Sequence, residues 1–92
     1  MKVRLTSRAH LDLRLQIDWL TDRSPRSARK AVRAIFDTIS RLTSHPLSGH
    51  ATPGDEREAQ VRFGQFGFVI RYEVRQNEVI IVRVFHGAQD RS

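Results

Sequence analysis

Five side chains in the second half of this 92-residue chain have the types needed for acid–base chemistry on a phosphodiester: Glu58, Arg62, Arg71, Arg83 and His86. A carboxylate can take a proton from an attacking hydroxyl, guanidinium groups can hold the charge of a phosphorane, and an imidazole can protonate a leaving oxygen near neutral pH. The stretch "VFHGAQD" sets His86 where the chain's most apolar run ends. A histidine there is either an acid at the rim of a sheet or a polar residue that ends a strand by bonding to backbone. The whole cluster has a plainer alternative too. Glu and Arg on a solvated sheet face form cross-strand pairs worth about 0.2–1 kcal/mol each.

A second group of residues is suited to binding. Arg26, Arg29, Lys30 and Arg33 recur three and four apart, with no acid before Asp37, so one helix face carries a basic stripe fit for phosphates or an acidic protein segment. A solvated helix face is the ordinary alternative. On the preceding helix Leu11, Leu15 and Trp19 make an apolar flank. Charge beside exposed apolar surface favours a protein partner, because a nucleic acid duplex offers no dry surface on which to bury a tryptophan. The expected docking surface is Leu11, Leu15 and Trp19 bordered by Arg26, Arg29 and Arg33. No Gly-rich phosphate loop occurs, and of the histidines only His45 and His50 share a loop, a weak metal site. No metal or other cofactor is expected.

The elements that must position these residues are legible from periodicity. "KVRLT" alternates Val3 and Leu5 with polar neighbours, as a short half-buried strand does. Thr6 or Ser7 can then cap a helix over about residues 8–22, whose Ala9, Leu13, Ile17 and Leu20 share one face. Ser24 caps a second helix with Pro25 in its first turn, and Ala28, Val32, Ile35, Ile39 and Leu42 form its buried stripe. The short joint implies an antiparallel helical hairpin. "SHPLSGHATPGDE" reads as a surface loop. Three strands follow, in "REAQVRF", "FGFVIRYEV" and "EVIIVRVF", separated by segments short enough for hairpins.

This order predicts an α+β domain, β-α-α-β-β-β, with the N-terminal helical hairpin on one face of a mainly antiparallel four-stranded sheet. Pleat parity assigns the faces. If Ala59, Val61 and Phe63 look toward the helices, so should Phe68, Ile70, Tyr72 and Val74, with Ile80, Val82 and Val84 completing the layer. Glu58, Gln60, Arg62, Arg71, Glu73 and Arg83 then collect on the outer face beside Val69, Ile81 and Phe85. By the same alternation His86 shares a parity with the core, although a terminal residue can turn to the rim.

Composition sets the frame. Length allows one domain, residues 1–92, with a single modest core. Cysteine is absent, so packing alone must hold the fold. No apolar run approaches a membrane span or a secretory leader, and a cytoplasmic protein is expected. The net charge is +6, and it resides wholly in residues 1–49, where ten Lys and Arg face four acids; residues 50–92 carry six of each. A neutral second half suits polyanionic RNA poorly.

With these residues in place the chain resembles the RelE/ParE superfamily of toxins from bacterial type II toxin–antitoxin pairs. The likeness covers nearly the whole chain, through "RAHLDLRLQIDWL", "RLTSHPLSGH", "FGFVIRYEV" and most specifically "VIIVRVFHGAQDR". The ParE branch is the closer one. The resemblance implies a helical hairpin on an antiparallel sheet and an antitoxin, ParD-like or similar, that wraps the toxin with a helix and an extended tail. It also implies one of two activities: RelE-like members cut messenger RNA in the ribosome, whereas ParE-like members poison DNA gyrase and are not nucleases. On the nuclease pattern Glu58 resembles the base, Arg71 the transition-state arginine and His86 the terminal acid. Gln60 and Arg62 stand where the nucleases have a basic pair, however, and Gly87 replaces a base-stacking tyrosine. Gyrase poisoning is therefore the expected activity, which makes the chain a non-enzyme. Ribosome-dependent cleavage of mRNA is the alternative, and an inactive relative serving as an interaction module is the third.

Overall fold

The structure, a computed structural model, describes residues 1–89. "VIIVRVFHGAQDR" therefore runs past the described residues at Asp90 and Arg91. Strand β1 (Lys2–Leu5) leads into helix α1 (Ser7–Arg23), and α2 (Pro25–Ser44) follows after one residue. Thr6 caps α1, its hydroxyl accepting the Ala9 N–H at 3.1 Å. Ser24 serves both helices: its N–H donates to Leu20 at 2.7 Å to finish α1, while its hydroxyl accepts the Ser27 N–H at 3.1 Å to start α2. One residue thus turns the chain back on itself and makes the hairpin antiparallel.

Strands β2 (His50–Ala51), β3 (Arg57–Val61), β4 (Phe68–Arg75) and β5 (Glu78–His86) complete one sheet of order β1-β5-β4-β3-β2. β1 lies parallel to β5, and every other pairing is antiparallel. Gln76 and Asn77, both with positive φ (47° and 64°), form the two-residue turn that matches the twist of β4 and β5. The sheet has five strands where four were expected. The fifth is β2, two residues long, which lies in the Pro/Gly-rich loop and has no alternation of its own for periodicity to detect.

The helices cover one face. Ala9, Leu13, Ala31, Ile35, Ile39 and Leu42 pack on Ala59, Val61, Phe68, Ile70 and Tyr72, with Ile17, Leu20, Phe63 and Val74 at the margin. Those positions on β3 and β4 follow the expected parity. On β5 the expectation fails for two residues: Val79 and Ile81 join the core, not Ile80 and Val82, whereas Val84 is buried as expected. The cause is a β-bulge. Arg71 lies opposite Arg83 but Tyr72 lies opposite Ile81, so Val82 has no partner and the faces exchange across it. Ile81, expected outside, is consequently inside, and Ile80 sits on the outer face opposite Glu73.

Two glycines are required by close approach. A Cβ on Gly67, which has φ 65°, would strike the Val61 carbonyl, and one on Gly87 would strike the carbonyl of Phe66. Gly87 is instead bonded through its N–H to Gly67 at 2.9 Å. At Gly87 the backbone therefore has room only for hydrogen.

Candidate functional site

Antiparallel register brings the outer-face charges together. Glu58 lies opposite Arg71, and Arg71 lies opposite Arg83. The Arg71 guanidinium grips Glu58 through Nη2 at 2.8 Å and Nε at 3.1 Å, with Glu56 at 3.6 Å. Two like charges directly across a ladder would repel, so the second guanidinium leaves the sheet for α1. Arg83 Nε bonds Asp12 Oδ2 at 2.8 Å and Nη2 bonds Oδ1 at 3.2 Å. Phe85 lies beneath both cations, its ring 4.9 Å from Arg71 and 4.5 Å from Arg83. The Asp12 hydrogen bond and its charge hold the Arg83 pKa above the ordinary guanidinium value against the opposing effect of burial.

The other two candidates stand apart from this cluster. Arg62 follows the last residue of β3, is exposed, and forms no ion pair with another described residue. His86 lies opposite Phe68, on the helix side of the sheet, and its ring meets Phe68 and Phe66 edge-on at 6.1 and 5.8 Å. Its Nδ1 accepts the Ala88 N–H at 3.3 Å. The sheet itself therefore separates the imidazole from Glu58 and Arg71. An acid and a base acting on one phosphodiester must both reach it, and these groups open onto opposite faces.

On the helix side His86 belongs to a different constellation. Leu15, Gln16, Trp19 and Leu20 of α1 face Phe63, Phe68 and His86 across an apolar groove of about 360 Å³. Leu15 and Trp19 remain more than half exposed, at 58% and 55%, and Leu11 is exposed one turn earlier. Arg23 stacks on the Trp19 ring at 3.6 Å. Of the expected docking residues, Leu15 and Trp19 line this groove, whereas Arg26, Arg29 and Arg33 stand exposed on α2 and do not. Sequence reasoning missed Gln16, Leu20, Phe63 and Phe68 as groove residues. Only proximity of two sequence-distant segments makes them one surface, and helical periodicity carries no such signal.

Gln16 has a second task. Its Nε2 donates to the Val84 carbonyl at 2.7 Å, while its Oε1 is buried without a partner. Among the described residues no three His, Asp or Glu side chains gather as a metal-binding group, and His45 and His50 are both exposed. No helix of the described residues is long and apolar enough to cross a membrane.

The described geometry fits what comparison with known proteins finds. The family model for the ParE toxin of the type II toxin–antitoxin system parDE matches residues 3–91. The chain belongs to the ParE toxin family. Two curated relatives from Caulobacter vibrioides lie close to this ParE-family toxin over nearly full length. Toxin RelE1 is 33% identical, covering 97% of this chain and 96% of its own. Toxin RelE3 is 34% identical, covering 97% of each. The fold recurs in a solved structure of the chromosomal ParDE system of P. aeruginosa, with a TM-score of 0.74 over 94% of this chain and 95% of that one at 22% identity. A metal-bound toxin from Helicobacter pylori shares it more loosely, with a TM-score of 0.55 at 10% identity, covering 94% and 93%. This ParE-family chain is thus a toxin of a type II pair, built as an α+β domain.

Proposed function

We propose that this toxin acts on DNA gyrase, without cutting RNA, and is neutralised by an antitoxin whose apolar helix face seats in the α1 groove. The observation that carries the reading is the division of the acid–base residues: His86 faces α1, while Glu58 and Arg71 face away from the helices. Both strand arginines, moreover, are committed to carboxylates, Arg71 to Glu58 and Arg83 to Asp12. A nuclease needs such cations ready for the phosphate as charge develops. The antitoxin assignment rests on the exposed Leu15 and Trp19 and on the apolar walls between them and Phe63.

Ribosome-dependent cleavage is the second reading, favoured by the placement of a carboxylate and a guanidinium, Glu58 and Arg71, as neighbours on the face turned away from the helices. The purified chain is to be assayed in parallel for inhibition of gyrase supercoiling with trapped cleaved DNA, and for mRNA cleavage on ribosomes. Cleaved mRNA with gyrase untouched would transfer the toxin to the second class. Harmless expression without antitoxin, with both assays silent, would leave an interaction module.

A further inference from the structure

The basic side chains of this chain are not employed alike. Arg4, Arg8, Arg71, Arg75 and Arg83 each hold a carboxylate, at 2.8 to 3.3 Å. Arg26, Arg29, Lys30 and Arg33 hold none: all four are exposed on α2, and none bonds or pairs with another described residue. Steps of three and four bring them onto one helix face. Asp22 and Asp37 bracket this stripe, one helical turn before Arg26 and one after Arg33, and neither is paired with it.

Helix α2 gains no stability from this arrangement. Its first turn holds no acid. Cations three or four apart repel each other, and cations near a helix N-terminus meet the positive end of its dipole. The exposed apolar surface of the hairpin lies elsewhere: Leu15 and Trp19 line the α1 groove, and Arg26, Arg29 and Arg33 do not. From Arg26 to Arg33 every exposed residue of α2 is a cation. The core of a protein interface is depleted of charge, whereas a phosphate backbone asks for cations and little else. The fold thus removes the ground on which this stripe and Trp19 would share one protein partner.

We infer that the first turns of α2, through Arg26, Arg29, Lys30 and Arg33, are a contact surface for the phosphate backbone of duplex DNA. The stripe extends about 10 Å along the helix axis. Over that length one strand of a duplex offers about three phosphates, which four cations are enough to neutralise. Contacts of this kind fix position and carry no base sequence, so any duplex serves. The choice of DNA over RNA rests on the gyrase reading above; the fit of the stripe to a phosphate backbone does not.

The test is fluorescence anisotropy of a labelled duplex of about 20 base pairs, titrated with the purified toxin between about 50 and 200 mM KCl. The logarithm of affinity should fall with that of salt at a slope of about −3, which is about 50-fold across this range. Arg29→Gln with Arg33→Gln should flatten the slope by about two and weaken binding at the lowest salt by about tenfold or more. The urea midpoint of this double variant should not drop, since neither side chain bonds to another described residue. Lysine at both positions keeps the charge and should keep the slope. Lys2→Gln, which removes an exposed cation of β1, should leave it unchanged. Absence of duplex binding at the lowest salt would overturn the inference, as would a slope indifferent to the double variant. So would a matched RNA duplex bound about tenfold more tightly, or a polyglutamate peptide bound as tightly as DNA through the same two arginines. Duplex binding by a chain that leaves gyrase untouched would remove the gyrase reading and keep this one, and gyrase poisoning without duplex binding would do the reverse.

Discussion

The Asp12 carboxylate accepts the backbone N–H of Val84 at 2.9 Å, and the same two oxygens hold the Arg83 guanidinium. A helix side chain thus does the work of a strand at the point where β1 turns away from β5. Asp12 is 7% exposed, and removing it would leave a buried N–H and a half-buried cation unpaired. Asp12→Ala is therefore expected to cost about 2–4 kcal/mol in urea unfolding. Arg83→Ala should cost about 1 kcal/mol, since Asp12 keeps Val84 and Arg8. Equal losses from the two variants would show that Asp12 serves the ion pair alone.

The same pair fixes a pH dependence. Asp12 raises the Arg83 pKa above its ordinary value, so the folded state binds this proton more tightly than the unfolded chain does. Stability from such a group is fully present below the unfolded value and is lost only as pH rises through the folded one. The difference in unfolding free energy between wild type and Arg83→Gln should accordingly stay constant from about pH 6 to pH 10. A difference that shrinks across that window would mean that another titrating group carries the effect.

Tyr72 ties the loop after α2 to the sheet. Its hydroxyl donates to the Pro46 carbonyl at 2.7 Å and accepts the Gly49 N–H at 2.9 Å, with the residue 0% exposed. Tyr72→Phe keeps the ring packing but strands both loop groups, which predicts a loss of about 1–2 kcal/mol. Amides of the loop before β2 should exchange faster in this variant. An unchanged urea midpoint would show that water replaces the hydroxyl at no cost.

What could be read from the sequence was whatever repeats along a single element. Ser24 and Pro25 announce the hairpin because capping chemistry is local, and Phe68, Ile70 and Tyr72 announce a face because a pleat has period two. Strand parity breaks at Val82, where one unpaired residue reverses the faces, and no residue type marks a bulge of this kind. Asp12 and Gln16 look like ordinary surface positions of a helix until the end of β1 leaves Val84 for them to bond. For the candidate site the same limit applies. Glu58, Arg71 and Arg83 were placed on one face, but the diversion of Arg83 to α1 and the separation of His86 come from packing between elements.

Trp19 supplies the last expectation. It is 55% exposed, its ring is covered on one side by Arg23, and it borders the groove with Leu15 and Phe63. An exposed aromatic contributes little to folding, so Trp19→Ala should change stability by less than about 0.5 kcal/mol. Central aromatics of an interface commonly carry about 2 kcal/mol, so the same substitution should weaken binding of the cognate antitoxin about 30-fold. Calorimetric titration of the purified pair measures both the affinity and the heat capacity change, whose negative value should shrink as apolar burial is lost. If affinity and heat capacity are untouched while toxicity falls, the groove serves the target and the antitoxin sits elsewhere.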